Sequence, residues 1–415
     1  MPTSTPVSSS DFHPVEAMAN LRHEFGEHGG VNMSIEASTT FSVLDAKTLP
    51  EIFRGLRGPD QGGCFLYGRH FNPTVYNLGK QLAQMEGAEA GYCTSSGMGA
   101  ISSVLLQCCD MGDEILASST IYGGTYALLH DYLPKKCGIK THFVDVQDLS
   151  FVMNSITPKT KVIYVETISN PMLQVADIPA LAQIAKKHGI KLIVDNTFSP
   201  LMVSPIKLGA DVVVYSLTKY INGASDIIAG AVCASHSFIE SMMDLHLGSL
   251  MLLGPTLDPH SASAISLRLP HLYLRIKEHS QRALLFSKRL KDLGVTVIYP
   301  GLEGHSGKKI LERVGHQEFG YGGIFCVDMG TSEKANQLMD ALQNEQKFGI
   351  MAVSLGFSET LMTCPASTTS SEMTDEDLRK SGILPGLVRM SIGYTGTVEQ
   401  RWRQLEQAVR KITSA

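Results

Sequence analysis

The feature that most limits how this chain can fold is an alternation. Six short runs, 114–117, 142–146, 162–165, 191–194, 211–215 and 227–234, are nearly continuous in apolar residues, and stretches of helical periodicity separate them. A strand with one wet face alternates apolar with polar residues, so strands lacking that alternation are covered on both faces. Such strands alternating with helices predict an α/β fold, a mostly parallel sheet with helices on either side. The clearest intervening helix is predicted over Ile178–His188, with Asp177 as N-cap and Gly189 just past its end. Another is expected after Pro73, with Leu78, Leu82 and Met85 on one face.

Beyond about residue 265 the pattern changes to longer helices and fewer strands. The last helix is the best defined: Val398, Trp402, Leu405, Val409 and Ile412 form one stripe, and Thr397 with Gln400 has the spacing of a capping box. The first 65 residues read as an arm with a short amphipathic piece around Val15 to Phe25, and an arm of that kind needs a partner surface for its apolar residues. The expected division is therefore an N-terminal arm over 1–65, a ligand-binding domain over 66–265 and a smaller α+β domain over 266–415.

A net charge of −5 over 415 residues leaves no basic footprint, which argues against nucleic acid and anionic membranes as partners. No apolar run approaches the roughly 18 residues of a membrane span. The eight cysteines form no C-x-x-C pair and several lie in apolar runs, as reduced buried thiols do. No metal site is expected. With no apolar leader or Arg-rich presequence in the first residues, the expectation is a cytoplasmic protein.

In sheets of this kind ligands bind beyond the carboxyl ends of the strands. The residues just past the strand ends form a chemically coherent set. Ser95–Ala100 opens a helix with Gly97, Met98 and Gly99, a start where backbone can approach a phosphate. Tyr122 precedes Gly123 and Gly124, either as a core tyrosine or as an aromatic able to stack on a flat ring. Asn170 sits after the strand ending near Glu166. Asp195 ends an apolar strand, where a poorly solvated carboxylate calls for a cationic partner, an Arg or a ligand. Ser216 and Thr218 alternate with Lys219 at the next strand end; a lysine partly desolvated there becomes a neutral amine that condenses with an aldehyde. Arg389, inside the apolar run 387–391, suits either a structural salt bridge or fork recognition of a carboxylate.

One ligand joins these residues. Pyridoxal 5′-phosphate needs an amine for its aldehyde (Lys219), a phosphate cradle (Gly97, Met98, Ser216, Thr218), a stacking aromatic (Tyr122) and an acid at its ring nitrogen (Asp195). A dinucleotide would want G-x-G-x-x-G after the first strand, and that motif is missing.

The segments 67–74, 96–100, 122–125, 166–171, 195–198, 216–226 and 388–391 resemble, in order and spacing, the cysteine/methionine-metabolism family of pyridoxal-phosphate enzymes, over nearly the whole chain. Within it the likeness is greatest to the methionine γ-lyases, above all the plant-type ones, through 23–30, 248–255 and 370–373. The resemblance implies the aspartate aminotransferase-like fold and a homotetramer built as a dimer of active dimers. In it Tyr67 and Arg69 reach the neighbour's cofactor phosphate, Asn170 bonds the ring hydroxyl, and Arg389 with Ser354 holds an amino-acid substrate's carboxylate. Lys219 moves a proton from Cα, and Tyr122 assists departure of the γ-substituent.

The implied reaction is γ-elimination of L-methionine to methanethiol, 2-oxobutanoate and ammonia. The alternative is a γ-lyase or γ-substituting transferase for another homoserine-type amino acid, such as cystathionine, homocysteine, O-acylhomoserine or canavanine. Val353 stands where cystathionine γ-lyases tend to carry Glu, and so favours a small thioether. Gly124 stands where bacterial methionine γ-lyases carry Cys, and plant-type members share the Gly. Ala224 and Tyr394-Thr395 depart from the family pattern.

Overall fold

The structure, a computed structural model, describes residues 12–21, 26, 28–54, 56–58, 65–368, 378 and 381–413. Segment 23–30 lies partly, and 370–373 entirely, outside them.

Seven strands form the larger sheet: β1 (Ala90–Thr94), β2 (Glu114–Ser118), β3 (Lys140–Val144), β4 (Thr160–Glu166), β5 (Lys191–Asp195), β6 (Val212–Ser216) and β7 (Gly230–Ala234). Their order is β1-β7-β6-β5-β4-β2-β3. Four of the pairings are parallel, while β7 runs antiparallel to both β1 and β6. Every strand but β7 therefore points the same way, and Thr94, Ser118, Glu166, Asp195 and Ser216 end on one edge. Successive residues face opposite sides. Val162 and Tyr164 of β4 enter one core, Ile163 and Val165 the other, and in β5 Ile193 opposes Leu192 and Val194. Continuous apolar runs thus reflect two covered faces, as the sequence predicts.

All six strands differ from the expected runs by one to three residues at an end, and β3 and β7 show why. The third runs over Lys140–Val144, not 142–146, because pairing with β2 begins at Glu114 opposite Lys140. The last begins at Gly230, not 227: Ile228 is 70% exposed, and the ladder starts where Gly230 meets Thr94 and Ser216. The helix Ile178–His188 has Asp177 accepting from Ala180 N–H and Gly189 in the left-handed conformation, as expected. Leu78, Leu82 and Met85 of the helix Pro73–Glu86 are all buried.

A second sheet of five strands lies between residues 296 and 391: β8 (Thr296–Ile298), β9 (Ile324–Asp328), β10 (Gly349–Met351), β11 (Thr360–Thr363) and β12 (Leu387–Ser391), in the order β10-β11-β12-β9-β8. One face packs on the helices Leu272–Asp292 and Val398–Thr413, with Phe325, Val327, Val388 and Met390 meeting Phe286, Trp402 and Leu405. The other face sends Ile324, Cys326 and Leu387 into the core beside the first sheet. By the same alternation Arg389 belongs to that second face and points toward the first sheet.

Candidate active site

Glu166, Asp195 and Ser216 end adjacent parallel strands, and each is an even step from Tyr164, Ile193 and Val214, so all three emerge on one face. Asp195 is buried. Its oxygens accept from Thr197 N–H at 2.9 Å and Tyr164 O–H at 3.3 Å, and no Lys, Arg or His pairs with it among the described residues. The structural Arg–Asp pair that the sequence leaves open is thus not formed among the described residues. Burial raises its carboxyl above the usual range, against the opposing bonds from Thr197 and Tyr164. Glu166, opposite it in register, is likewise buried, and burial together with the Asp195 charge pushes it up to about 8. Two adjacent buried carboxyls with no cation between them form a site that a bound cation relieves.

The lysine stands on the turn after β6. Lys219 Nζ donates to Ser354 Oγ at 2.8 Å, across 135 residues of chain. Burial, and next the Arg389 charge, lower the amine to about 8. Ser354 adopts φ 111°, a conformation a serine keeps only when its surroundings enforce it. Its carbonyl accepts from Arg389 Nη2 at 2.8 Å, while Arg389 Nη1 donates to Asn170 Oδ1 at 2.9 Å. Arg389 is fully buried, pairs with no carboxylate among the described residues, and leaves Nε with no acceptor. Among the described residues it therefore forms no structural salt bridge, and an unmet guanidinium N–H suits an incoming carboxylate.

The turn itself is clamped from behind. Arg275 donates to the carbonyls of Tyr220 and Ile221, and a Cβ on Gly223 would come within 2.2 Å of Arg275 Nη1. Arg275 escapes sequence reasoning because it lies in the helix Leu272–Asp292 with no local motif around it. Thr197 is also new: its hydroxyl accepts from Ser216 N–H at 2.7 Å and its amide binds Asp195, linking β5 to β6. A threonine two residues after a strand-end aspartate was the available signal.

Gly97 opens the helix Gly97–Cys108, and a Cβ there would meet Ser216 Cβ at 2.7 Å, so the helix start lies directly against the end of β6. Met98 comes next, partly buried. Thr218 is less available than expected: its hydroxyl donates to Ala229 O at 3.2 Å and accepts from Ala229 N–H at 3.0 Å. Tyr122 lies at the start of a short helix with its ring over Gly124, where a Cβ would come within 2.6 Å of Tyr122 Cε1. Val353 adjoins Ser354 and is 62% exposed. Tyr67 and Arg69 contact each other, the guanidinium 5.4 Å from the ring, and Arg69 donates to Met251 O; no described bond joins either residue to the Lys219 cluster. Tyr394 stacks edgewise on buried His279, and nothing in the structure explains Ala224.

The residues fit pyridoxal 5′-phosphate on observable grounds. Asp195 has the missing cationic partner that a protonated ring nitrogen provides, Lys219 has the softened amine, and the helix start at Gly97 presents N–H groups beside Ser216.

Comparison with known proteins agrees. A protein of Campylobacter jejuni whose structure carries N′-pyridoxyl-lysine-5′-monophosphate superposes with a TM-score of 0.87 at 28% identity, covering 96% of this chain and 100% of that one. Cystathionine gamma synthase from Xanthomonas oryzae pv. oryzae superposes with a TM-score of 0.86 at 30% identity, over 97% and 99%. Methionine gamma-lyase of Arabidopsis thaliana is 55% identical over 399 residues, 96% of this chain and 90% of the relative. L-methionine gamma-lyase of Pseudomonas putida is 37% identical over 92% and 94%. The model of the Cys/Met metabolism PLP-dependent enzymes matches residues 16–409, nearly the whole chain, and the chain belongs to this family.

Proposed function

We propose that this enzyme removes the γ-substituent of L-methionine, consuming water and releasing methanethiol, 2-oxobutanoate and ammonia. The observation that carries the reading is the short path from amine to guanidinium: Lys219 Nζ bonds the side chain of Ser354, and Arg389 bonds the same residue's carbonyl. An α-amino acid whose carboxylate lies on Arg389 has its Cα near the Lys219 amine. Its side chain then extends past Val353, an apolar neighbour suited to a thioether. The likeness to the Arabidopsis thaliana protein supports methionine as that substrate.

Pyridoxal 5′-phosphate, when bound, supplies an aldehyde for the amine and a ring that accepts electrons from the substrate. Asp195 would hold the ring nitrogen protonated, Asn170 the ring hydroxyl, and Gly97, Met98, Ser216 and Thr218 the phosphate. Lys219 would take the proton from Cα, for which an amine near pKa 8 is suited, since it is partly neutral at working pH. The Tyr122 hydroxyl would protonate the departing sulfur. Tyr67 and Arg69, outside the Lys219 cluster in their own chain, would complete the phosphate site of a second copy, in a homotetramer of active dimers. The seven described cysteines, all free, favour the cytoplasm.

The test is a kcat/KM comparison of the purified holoenzyme on methionine, cystathionine, homocysteine, O-acetylhomoserine and cysteine, with 2-oxobutanoate and methanethiol assayed directly. Methionine is expected to lead. Absence of product from every γ-substituted amino acid overturns the lyase reading, and product formed only with an added thiol makes the enzyme a γ-substituting transferase.

A further inference from the structure

Glu166 has no place in the chemistry above, yet three features of the pocket meet on it. It is the last residue of β4, buried, and opposite Asp195 in register. Its Oε1 accepts from the backbone N–H of Tyr122 at 2.7 Å, and its Oε2 accepts from the backbone N–H of Asn170 at 2.9 Å. Tyr122 lies past the end of β2, Asn170 past the end of β4, and at these points neither loop belongs to a strand ladder. Tyr122 also starts its helix without a side-chain cap. A second buried carboxyl beside Asp195 is unfavourable in itself, as the upward push on Glu166 reflects. Both of its oxygens are used by two loops that converge on one point.

We propose that Glu166 is a positioning residue of the pocket, a single carboxylate that fixes the stacking side chain of Tyr122 and the amide of Asn170 relative to Asp195. The inference rests on reading this pocket as the cofactor site and goes beyond it by assigning the group that sets the ring's surroundings. A carboxylate is needed because it accepts from both N–H groups at once. The amide of a glutamine accepts through one oxygen and turns its NH₂ toward the other donor. Glu166 holds the backbone of Asn170, and through that residue the effect extends to Arg389, whose Nη1 donates to the Asn170 side-chain Oδ1.

The experiment compares wild type, Glu166→Gln, Tyr122→Phe and the double variant as holoenzymes. The readouts are visible-region circular dichroism per bound cofactor, kcat and KM for methionine, and the thermal midpoint. Glu166→Gln is expected to lower the dichroic band at least about 2-fold and kcat by about 10-fold or more, with KM changing less than kcat, because one of the two N–H bonds is lost while the volume is kept. Acting through Tyr122, it should combine with Tyr122→Phe less than multiplicatively. A normal dichroic band with normal kcat, or effects that multiply, overturns the proposal.

Should Glu166→Gln not fold, Glu166→Asp, which keeps the charge and shortens its reach, is read by the same two measures and the same outcomes decide. The dichroic measurement needs no turnover of methionine. A wild type that binds cofactor but does not convert methionine therefore breaks the substrate assignment alone, whereas one that binds no cofactor breaks the pocket reading and this proposal with it.

Discussion

At the ends of β4 and β5 the carboxylates are buried and bonded to their neighbours, whereas Tyr122, past the end of β2, and Val353, beside Ser354, are 43% and 62% exposed. The floor stands on regular strands whose positions are set by ladder hydrogen bonds, so its groups keep fixed places without help from a ligand. The rim stands on loops and on a segment whose Ser354 is held at a positive φ. In the proposed reading the floor and its lysine would supply chemistry common to any amino acid bound there, and the rim would choose among amino acids. One chain also completes the floor, while Tyr67 and Arg69 remain apart from the cluster they are proposed to serve in a second copy.

Three substitutions press on that contrast. Lys219→Ala should lower kcat by roughly 10³-fold or more, the scale of a lost acid–base group, and abolish the visible absorption of cofactor bound to the lysine. Ordinary turnover in that variant would break the assignment of the amine, and with it the chemistry attributed to the floor. Arg389→Lys lies between floor and rim. It replaces a planar fork with a point charge that cannot serve Asn170, the Ser354 carbonyl and a carboxylate together, so KM for methionine should rise about 10- to 100-fold with a smaller fall in kcat. Steady-state kinetics showing an unchanged KM would remove the carboxylate from Arg389.

The smallest effect is expected at the rim. Val353→Glu should shift the ratio of kcat/KM for methionine over cystathionine by about 10-fold toward cystathionine, with cofactor dichroism unchanged. A change in dichroism as large as the change in specificity would show that floor and rim are not separable.

Much of the floor is legible in the sequence for one reason. Asp195 and Lys219 are polar groups at the ends of apolar runs, and a chain does not leave a charge there without a use for it. Arg389 stands out in the same way inside β12. Thr218 shows what spacing leaves out: its place beside Lys219 suggests an anion cradle, and only the fold shows that its hydroxyl also bonds Ala229, a residue that enters from the approach to β7. Arg275 and Glu166 are silent or ambiguous in sequence, since a helical arginine and a strand-end glutamate acquire roles only from what they touch.

By itself the sequence determined the architecture and singled out the groups proposed to react. Continuous apolar runs can be satisfied only by a sheet covered on both faces, and the edge beyond such strands is where polar residues collect. Only the tertiary structure decided how those groups act together: that Lys219 bonds a strained serine 135 residues away, that Arg389 faces the first sheet, and that one glutamate binds two loops. Contacts between residues far apart in the chain leave no periodic trace in it, because each side of the contact satisfies its own local pattern and the partner is fixed by packing alone.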